Sequence, residues 1–337
     1  MEMIPLVSPP ASLTGAAFAG KIRKIPERGI CVENRELIII GGGPGGMAAG
    51  LYAGRAELKT LLLEKGMTGG LAATTAHIEN YPGFPAGIGG MELAAQMEEQ
   101  ARKFGVEIRN AEVEKLTEEG EGFTVRTDEG DLTTGAVILA TGASPSLLGV
   151  PGEKEFLGRG VSFCATCDGA FFRDQVVVVV GGGDAAVEEA MFLTRFASRV
   201  YIVHRRGELR ATRIIQDRAF KNPKVEFVWH SSVDEIRGAA KVEEVVVKDV
   251  RSGDRRVLTA GGVFIYVGNR PNTELVADLV ALDERGYVKT DGEMRTNVAG
   301  LFAVGDVRQK SLRQVITAVA DGAVAAVAAE KYLAARE

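Results

Sequence analysis

The run Cys164-Ala165-Thr166-Cys167-Asp168 sets two thiols at C-x-x-C spacing. Sulfurs so close in sequence can close a small disulfide, and the species that reacts when it opens is a thiolate. Asp168 follows at once, a candidate proton donor or acceptor for the leaving thiolate. The dithiol lies between two glycine fingerprints. Gly41-Gly42-Gly43-Pro44-Gly45-Gly46 follows the apolar run Leu37-Ile38-Ile39-Ile40, and Gly181-Gly182-Gly183-Asp184-Ala185-Ala186 follows a run of five valines from Val176. Each reads as strand, G-x-G-x-x-G/A turn and helix, the setting in which this motif seats a dinucleotide pyrophosphate on a helix N-terminus. One match is weak. Two, with a dithiol between them, point to electron transfer from a nicotinamide through a flavin to a disulfide.

Two plainer readings of the cysteines compete. A zinc site needs two more ligands, and only Cys31, His77, His204 and His230 remain, with no paired spacing. A pair of buried structural cysteines is the other. Neither explains a C-x-x-C-D placed between two nucleotide folds.

The residue ending the second strand of such a fold meets the adenosine ribose. In the first unit it is Glu64, whose carboxylate accepts hydrogen bonds from a free ribose diol and repels a 2′-phosphate, which suits FAD or NAD. In the second unit the strand Val200-Tyr201-Ile202-Val203 ends in His204-Arg205-Arg206, with Arg210 close behind and no acid. Arginine forks match phosphate oxygens, which suits NADPH. The plain alternative is a solvated basic turn. Glu79-Asn80-Tyr81-Pro82-Gly83 lies in a loop long enough to reach a flavin ring, and Gly305-Asp306 follows the strand Phe302-Ala303-Val304, placing Asp306 for a ribitol hydroxyl; each taken alone reads equally as a turn.

These residues need elements to hold them. Periodicity predicts helices over 44–55, 92–104 and 185–196, and strands over 60–63, 106–108, 123–127, 136–140, 200–203, 225–228, 242–250 and 263–267. Ser144-Pro145 and the run from Gly268 to Asn272 mark breaks. A strand-Gly-Asp-helix element follows the second unit, so that unit reads as inserted into the first. The fold class is therefore α/β, with two Rossmann-like dinucleotide-binding domains, the second inserted into the first. The expected parts are a loose extension over 1–34, an FAD-binding domain over 35–144 and 271–337, and an NADPH-binding domain with the dithiol over 145–270.

The whole chain sets bounds. Its 337 residues can bury two cores, and 46% hydrophobic and 25% charged residues are ordinary for a globular protein. A net charge of −5 argues against a general nucleic-acid binder. No apolar run is long enough to span a bilayer; residues 315–329, interrupted by Asp321 and Gly322, read as a buried helix. Three cysteines, one pair of them closely spaced, fit a reducing cytoplasm and leave Cys31 a bystander. Residues 1–34 carry Glu2 where a signal peptide wants basic residues, and read as a loose extension or a start placed too early.

Together the fingerprints, the loop from Glu79 to Gly83, Thr141-Gly142-Ala143, the block from Cys164 to Gly169, His204-Arg205-Arg206 with Arg210-Ala211, the run from Gly268 to Thr273, and Phe302 to Asp306 followed by Arg313-Gln314 resemble the low-molecular-weight thioredoxin reductase family. The resemblance covers residues 35–337. It implies FAD on Gly41, Gly43, Gly46, Glu64, Asn80, Gly305, Asp306, Arg313 and Gln314, and NADPH on Gly181, Gly183, His204, Arg205, Arg206 and Arg210. It implies that Cys167 faces the flavin, that Cys164 attacks the disulfide of thioredoxin, and that Asp168 handles the proton. It also implies a homodimer whose NADPH domain rotates on linkers near 143–148 and 268–272. Two positions depart from the pattern: Gly70 stands where many relatives have Gln, and Asp184, where relatives often have Asn or Ser, either weakens nicotinamide binding or caps the helix. Alternatives left open are another thioredoxin-like or glutaredoxin-like carrier, an oxygen-dependent dithiol oxidase, against which the arginines argue, and a non-catalytic redox sensor.

Overall fold

Leu37 to Ile40 is apolar at every position, so it makes a stable strand only if both faces are covered. The computed structural model, which describes residues 33–336, shows how. Strand β1 (Glu33–Ile40) begins two residues before the expected boundary and leads through the first fingerprint into α1 (Pro44–Arg55), with Pro44 at the start of the helix. Then follow β2 (Thr60–Glu64), the short α2 (Gly70–Ala73), α3 (Gly90–Lys103), β3 (Glu107–Asn110), and the meander β4 (Val113–Glu119), β5 (Gly122–Thr127) and β6 (Gly130–Leu139).

The chain leaves this sheet by β7 (Ala143–Pro145), passes β8 (Val161–Ser162) and the dithiol turn α4 (Ala165–Asp168), and starts the second unit. That unit contains β9 (Val176–Gly181), α5 (Asp184–Leu193), β10 (Arg199–Val203), α6 (Arg213–Phe220), β11 (Val225–Val228), the antiparallel β12 (Ser231–Arg237), β13 (Glu244–Asp249) and β14 (Arg255–Thr259), and β15 (Gly262–Tyr266). It returns by β16 (Asn269–Pro271) to β17 (Leu301–Ala303) and α7 (Val315–Ala334).

The sheets record the insertion. The first runs β3-β2-β1-β6-β5-β4, and β17 pairs with β6 although the whole second unit separates them in sequence. On its edge away from β1, β6 is long enough to serve two partners: Gly130 to Thr134 pairs antiparallel with β5, and Val137 to Leu139 parallel with β17. The second sheet is β11-β10-β9-β15-β8, parallel throughout. Buried apolar clusters cover both faces of each sheet, which is why β1 and β9 are apolar without alternation.

β7 and β16 form an antiparallel two-strand ribbon, the crossing between the halves. Asn272 laces it, donating Nδ2–H to Thr141 O (2.8 Å) and accepting from Ser144 Oγ at its Oδ1 (2.8 Å). Past the ribbon, the buried Glu153 carboxylate accepts the N–H groups of Leu148 and Gly149, each at 2.7 Å, and pins the chain as it enters the second unit.

Candidate active site

Both fingerprints put each glycine to a different use. At Gly41 (φ +109) a Cβ would stand 2.4 Å from Ala140 O, and at Gly181 (φ +152) it would stand 2.4 Å from Tyr266 O. At Gly46 it would stand 1.9 Å from Gly41 O. These positions admit only glycine because backbone lies against them. Gly43 and Gly183 differ: a Cβ there would meet no atom within 4 Å. Each opens onto empty space at the start of a helix, α1 or α5, where backbone N–H groups have no intrahelical partner.

Around Gly43, Glu64 accepts Gly42 N–H at Oε2 (2.7 Å) and Gly66 N–H at Oε1 (2.9 Å), fixing a carboxylate at the end of β2. Asn80 donates Nδ2–H to Gln314 Oε1 (3.1 Å), joining the loop after α2 to the start of α7. Gln314 caps that helix in a reciprocal pair with Thr317. Arg313 lies over the Tyr287 ring, 3.9 Å from its centroid, with Nε buried and without a partner. Asp306 Oδ1 is also buried and unpartnered, and burial pushes the Asp306 carboxyl above its ordinary range. An open cradle with a buried acceptor and a buried donor both lacking partners fits FAD, which carries hydroxyls and carbonyls to match them. Gly69 and Gly70 both have positive φ (+103 and +55), a backbone conformation that favours glycine at both positions.

Around Gly183, the N–H groups of Arg210 and Ala211 donate to Gly182 O (2.7 and 3.1 Å), holding the arginine loop against the fingerprint. Arg205, Arg206 and Arg210 are exposed, and among the described residues none pairs with a carboxylate. His204 is buried against Gly182 with Nε2 unpartnered. Burial lowers its pKa, and the charges of Arg210, Arg206 and Arg205 lower it further. An open cradle with three unpaired guanidiniums fits the pyrophosphate and 2′-phosphate of NADPH. The Asp184 Oδ1 accepts Thr212 N–H (2.6 Å), so it caps the entry to α6 from the neighbouring helix α5 rather than its own helix.

Cys164 and Cys167 are joined as a disulfide, with Cα atoms 5.4 Å apart. Three contacts that sequence alone did not reveal hold the turn. Buried Ser162 accepts Cys164 N–H at Oγ (3.0 Å), Cys164 Sγ accepts Cys167 N–H (3.1 Å), and Tyr266 Oη accepts Ala165 N–H (2.9 Å). Tyr266 ends β15, on which Gly181 also leans, so one residue touches both the dithiol turn and the nicotinamide fingerprint. Cys164 Sγ lies 3.9 Å from Thr74 O, against the loop after α2, while Cys167 is exposed. Arg218 of α6 grips Glu79 through Nη1, 3.2 and 3.0 Å from its two oxygens, across the same boundary. Cys31 lies outside the described residues.

The fold and site define a two-nucleotide disulfide oxidoreductase: two dinucleotide cradles, one beside a carboxylate and one beside arginines, with a disulfide between them. The chain belongs to the pyridine nucleotide-disulphide oxidoreductase family, whose profile matches residues 35–322. It is 49% identical over 304 residues to a thioredoxin reductase of Peptoclostridium litorale, covering 88% of this chain and 96% of that protein. Among solved structures it resembles thioredoxin reductase of Lactococcus lactis (50% identity, TM-score 0.88, 89% of this chain and 99% of that one). It also resembles the enzyme of Streptococcus pyogenes (50% identity, TM-score 0.61, 90% and 99%).

Proposed function

We propose that this chain is an NADPH-dependent thioredoxin-disulfide reductase, and the observation that carries the reading is the disulfide of the inserted half standing against the flavin-side loop, Cys164 Sγ 3.9 Å from Thr74 O. Bound FAD would pass two electrons from NADPH to the disulfide. Gly41, Gly43 and Gly46 make its cradle, Glu64 faces its ribose, and Asn80, Gly305, Asp306, Arg313 and Gln314 line the remainder. Gly181, Gly183, His204, Arg205, Arg206 and Arg210 hold NADPH, the arginines selecting its 2′-phosphate.

The exposed Cys167 takes the electron pair and becomes a thiol, its proton handled by Asp168, while the Cys164–Cys167 bond opens with Cys164 leaving as the thiolate; the Cys167 proton later passes to the second thioredoxin sulfur. The Cys164 thiolate attacks one sulfur of oxidised thioredoxin, whose other sulfur leaves with a proton. Cys167 then attacks the mixed disulfide, releases reduced thioredoxin and restores the Cys164–Cys167 bond. Two electrons and two protons leave with the partner.

Packed against the loop after α2, Cys164 is half-buried and out of reach of a protein partner, so the halves must pivot. The ribbon of β7 and β16, with Gly268 at φ +130, is the natural hinge, and the unequal superposition on two equally similar relatives supports it. The assigned parts are FAD-binding 35–144 and 271–337, and NADPH-binding 145–270. Ile316, Ala320, Val324 and Val327 leave an exposed apolar stripe along α7, which supports a homodimer through that face. Among the described residues no helix is long and apolar enough to cross a membrane, and a reducible dithiol suits the cytoplasm.

The test is Cys164→Ser. NADPH should still bleach the flavin of this variant while turnover with thioredoxin is lost; retained turnover would overturn the assignment of the attacking sulfur.

A further inference from the structure

Helix α7 buries a carboxylate. Asp321 sits in the middle of α7, 7% exposed. Its Oδ2 accepts Gly305 N–H (3.0 Å) and Lys310 Nζ (2.8 Å), and its Oδ1 accepts Arg308 Nη1 (3.1 Å). Arg308 also donates Nε–H to Thr290 Oγ1 (2.7 Å). Both cations are nearly dry, with side chains 13% and 9% exposed for Arg308 and Lys310. One carboxylate therefore faces two cations in a place where unpaired charge is expensive.

The surplus has a direction. Gly305, held by Asp321, is followed by Asp306, whose Oδ1 is buried and unpartnered, and Lys310, Arg313 and Asp321 are the charges acting on it. The first fingerprint reaches the same point: a Cβ on Gly45 would stand 3.3 Å from Ala318 O, and one on Gly322 would stand 2.1 Å from Gly45 O. The pyrophosphate cradle at the start of α1, the Gly305-Asp306 turn and Asp321 thus share one tightly packed crossing.

We propose that Asp321 is a positioning residue for FAD: it ties the Gly305-Asp306 turn from behind, leaves the Asp306 carboxyl aimed at the cofactor, and retains on Lys310 and Arg308 one positive charge that the anionic dinucleotide balances. This rests on Gly305 and Asp306 meeting FAD. Lys310 and the cofactor then make opposite demands. Without FAD, the second cation is a cost to the fold. With FAD, it contributes to binding.

Two variants test this in the full chain, stripped of flavin and titrated with FAD, with thermal melts recorded in both states. Lys310→Met removes the surplus and leaves Asp321 paired with Arg308 and Gly305. Its apo melt should match or exceed wild type, while its FAD dissociation constant rises about three- to tenfold and the melting shift on adding FAD shrinks. Asp321→Asn, which weakens the tie to the Gly305-Asp306 turn, should raise that constant more than about tenfold. Wild-type affinity in Lys310→Met overturns the proposal, whether or not Asp321→Asn folds. Apo and FAD-bound melts that fall equally in Asp321→Asn would make Asp321 mere scaffold. Failure of the wild-type apo chain to take up FAD would overturn the cofactor reading instead, so the two failures are distinguishable.

Discussion

Replacing Gly183 by alanine should separate cofactor binding from folding, and Gly181→Ala supplies the contrast. At Gly181 the added methyl lies 2.4 Å from Tyr266 O and 2.7 Å from Ala186 Cβ, on a backbone at φ +152. Neither neighbour can retreat, because one is strand backbone and the other is locked in α5. Overpacking costs about 1–3 kcal/mol and the backbone conformation about 1–3 more, so the melt should fall by roughly 4–24 °C at about 2–4 °C per kcal/mol. At Gly183 the methyl meets nothing within 4 Å, on an ordinary extended backbone (φ −93). Alanine is a poorer N-cap than glycine by about 0.5–1 kcal/mol, and loss of unfolded-chain freedom returns about 0.4–1. The apo melt of Gly183→Ala should therefore stay within about 3 °C of wild type. The methyl occupies the space where the pyrophosphate must approach, so the NADPH dissociation constant should rise at least about tenfold. Thermal melts of the flavin-free chain and fluorescence titration with NADPH read the two effects separately. Unchanged NADPH affinity in Gly183→Ala, or a melt as low as that of Gly181→Ala, would refute the cradle reasoning.

Other outcomes follow from the same geometry. Removing both Arg205 and Arg206 should lower kcat/KM for NADPH about a hundredfold or more and leave NADH within a few-fold, since charge-assisted hydrogen bonds contribute about 1.5–3 kcal/mol each; an equal loss for both nucleotides would argue against phosphate recognition. Glu189, 7% exposed, has its pKa pushed up to about 7 by burial and then by the Glu188 charge. Its contribution to stability is full below pH ~4.5 and is lost as pH rises through about 7. Glu189→Gln should therefore melt above wild type at pH 8, by up to ~3 kcal/mol, and the gap should close by pH 5; a gap independent of pH would contradict the assignment. Glu79→Gln breaks the ion pair with Arg218, whose side chains are half exposed (53% and 50%), so stability should change by less than about 1 kcal/mol.

The parts of the fold legible in sequence were those with their own local signal. Residues 44–55 form a helix because Pro44 sits at its first position and glycines let it pack closely, and β9 is five valines in a row. Strands β4 and β14 were not legible. β4 buries only Leu116, and β14 only Leu258, so partners across the sheet, not internal pattern, specify them. Helix α3 starts at Gly90, earlier than periodicity placed it; only glycine fits there, since a Cβ would stand 1.9 Å from Ala72 O, a contact invisible along the chain. In the site, the dithiol and both glycine turns were legible. Ser162 and Tyr266 were not, since they act only through hydrogen bonds to the dithiol turn. Asp321 looked like an interruption of an apolar helix, and Asp184 like a cap of its own helix. Both serve other segments, Gly305 and Thr212, that only the folded chain brings near.

The central claim, that electrons entering at the arginine-lined cradle leave through Cys164 to thioredoxin, is met most directly by steady-state NADPH oxidation. The flavin-loaded chain is assayed under nitrogen with and without oxidised thioredoxin. The account predicts negligible oxidation by the enzyme alone and strong, saturable stimulation by thioredoxin. Flavin reduction by NADPH with no stimulation by thioredoxin would contradict it.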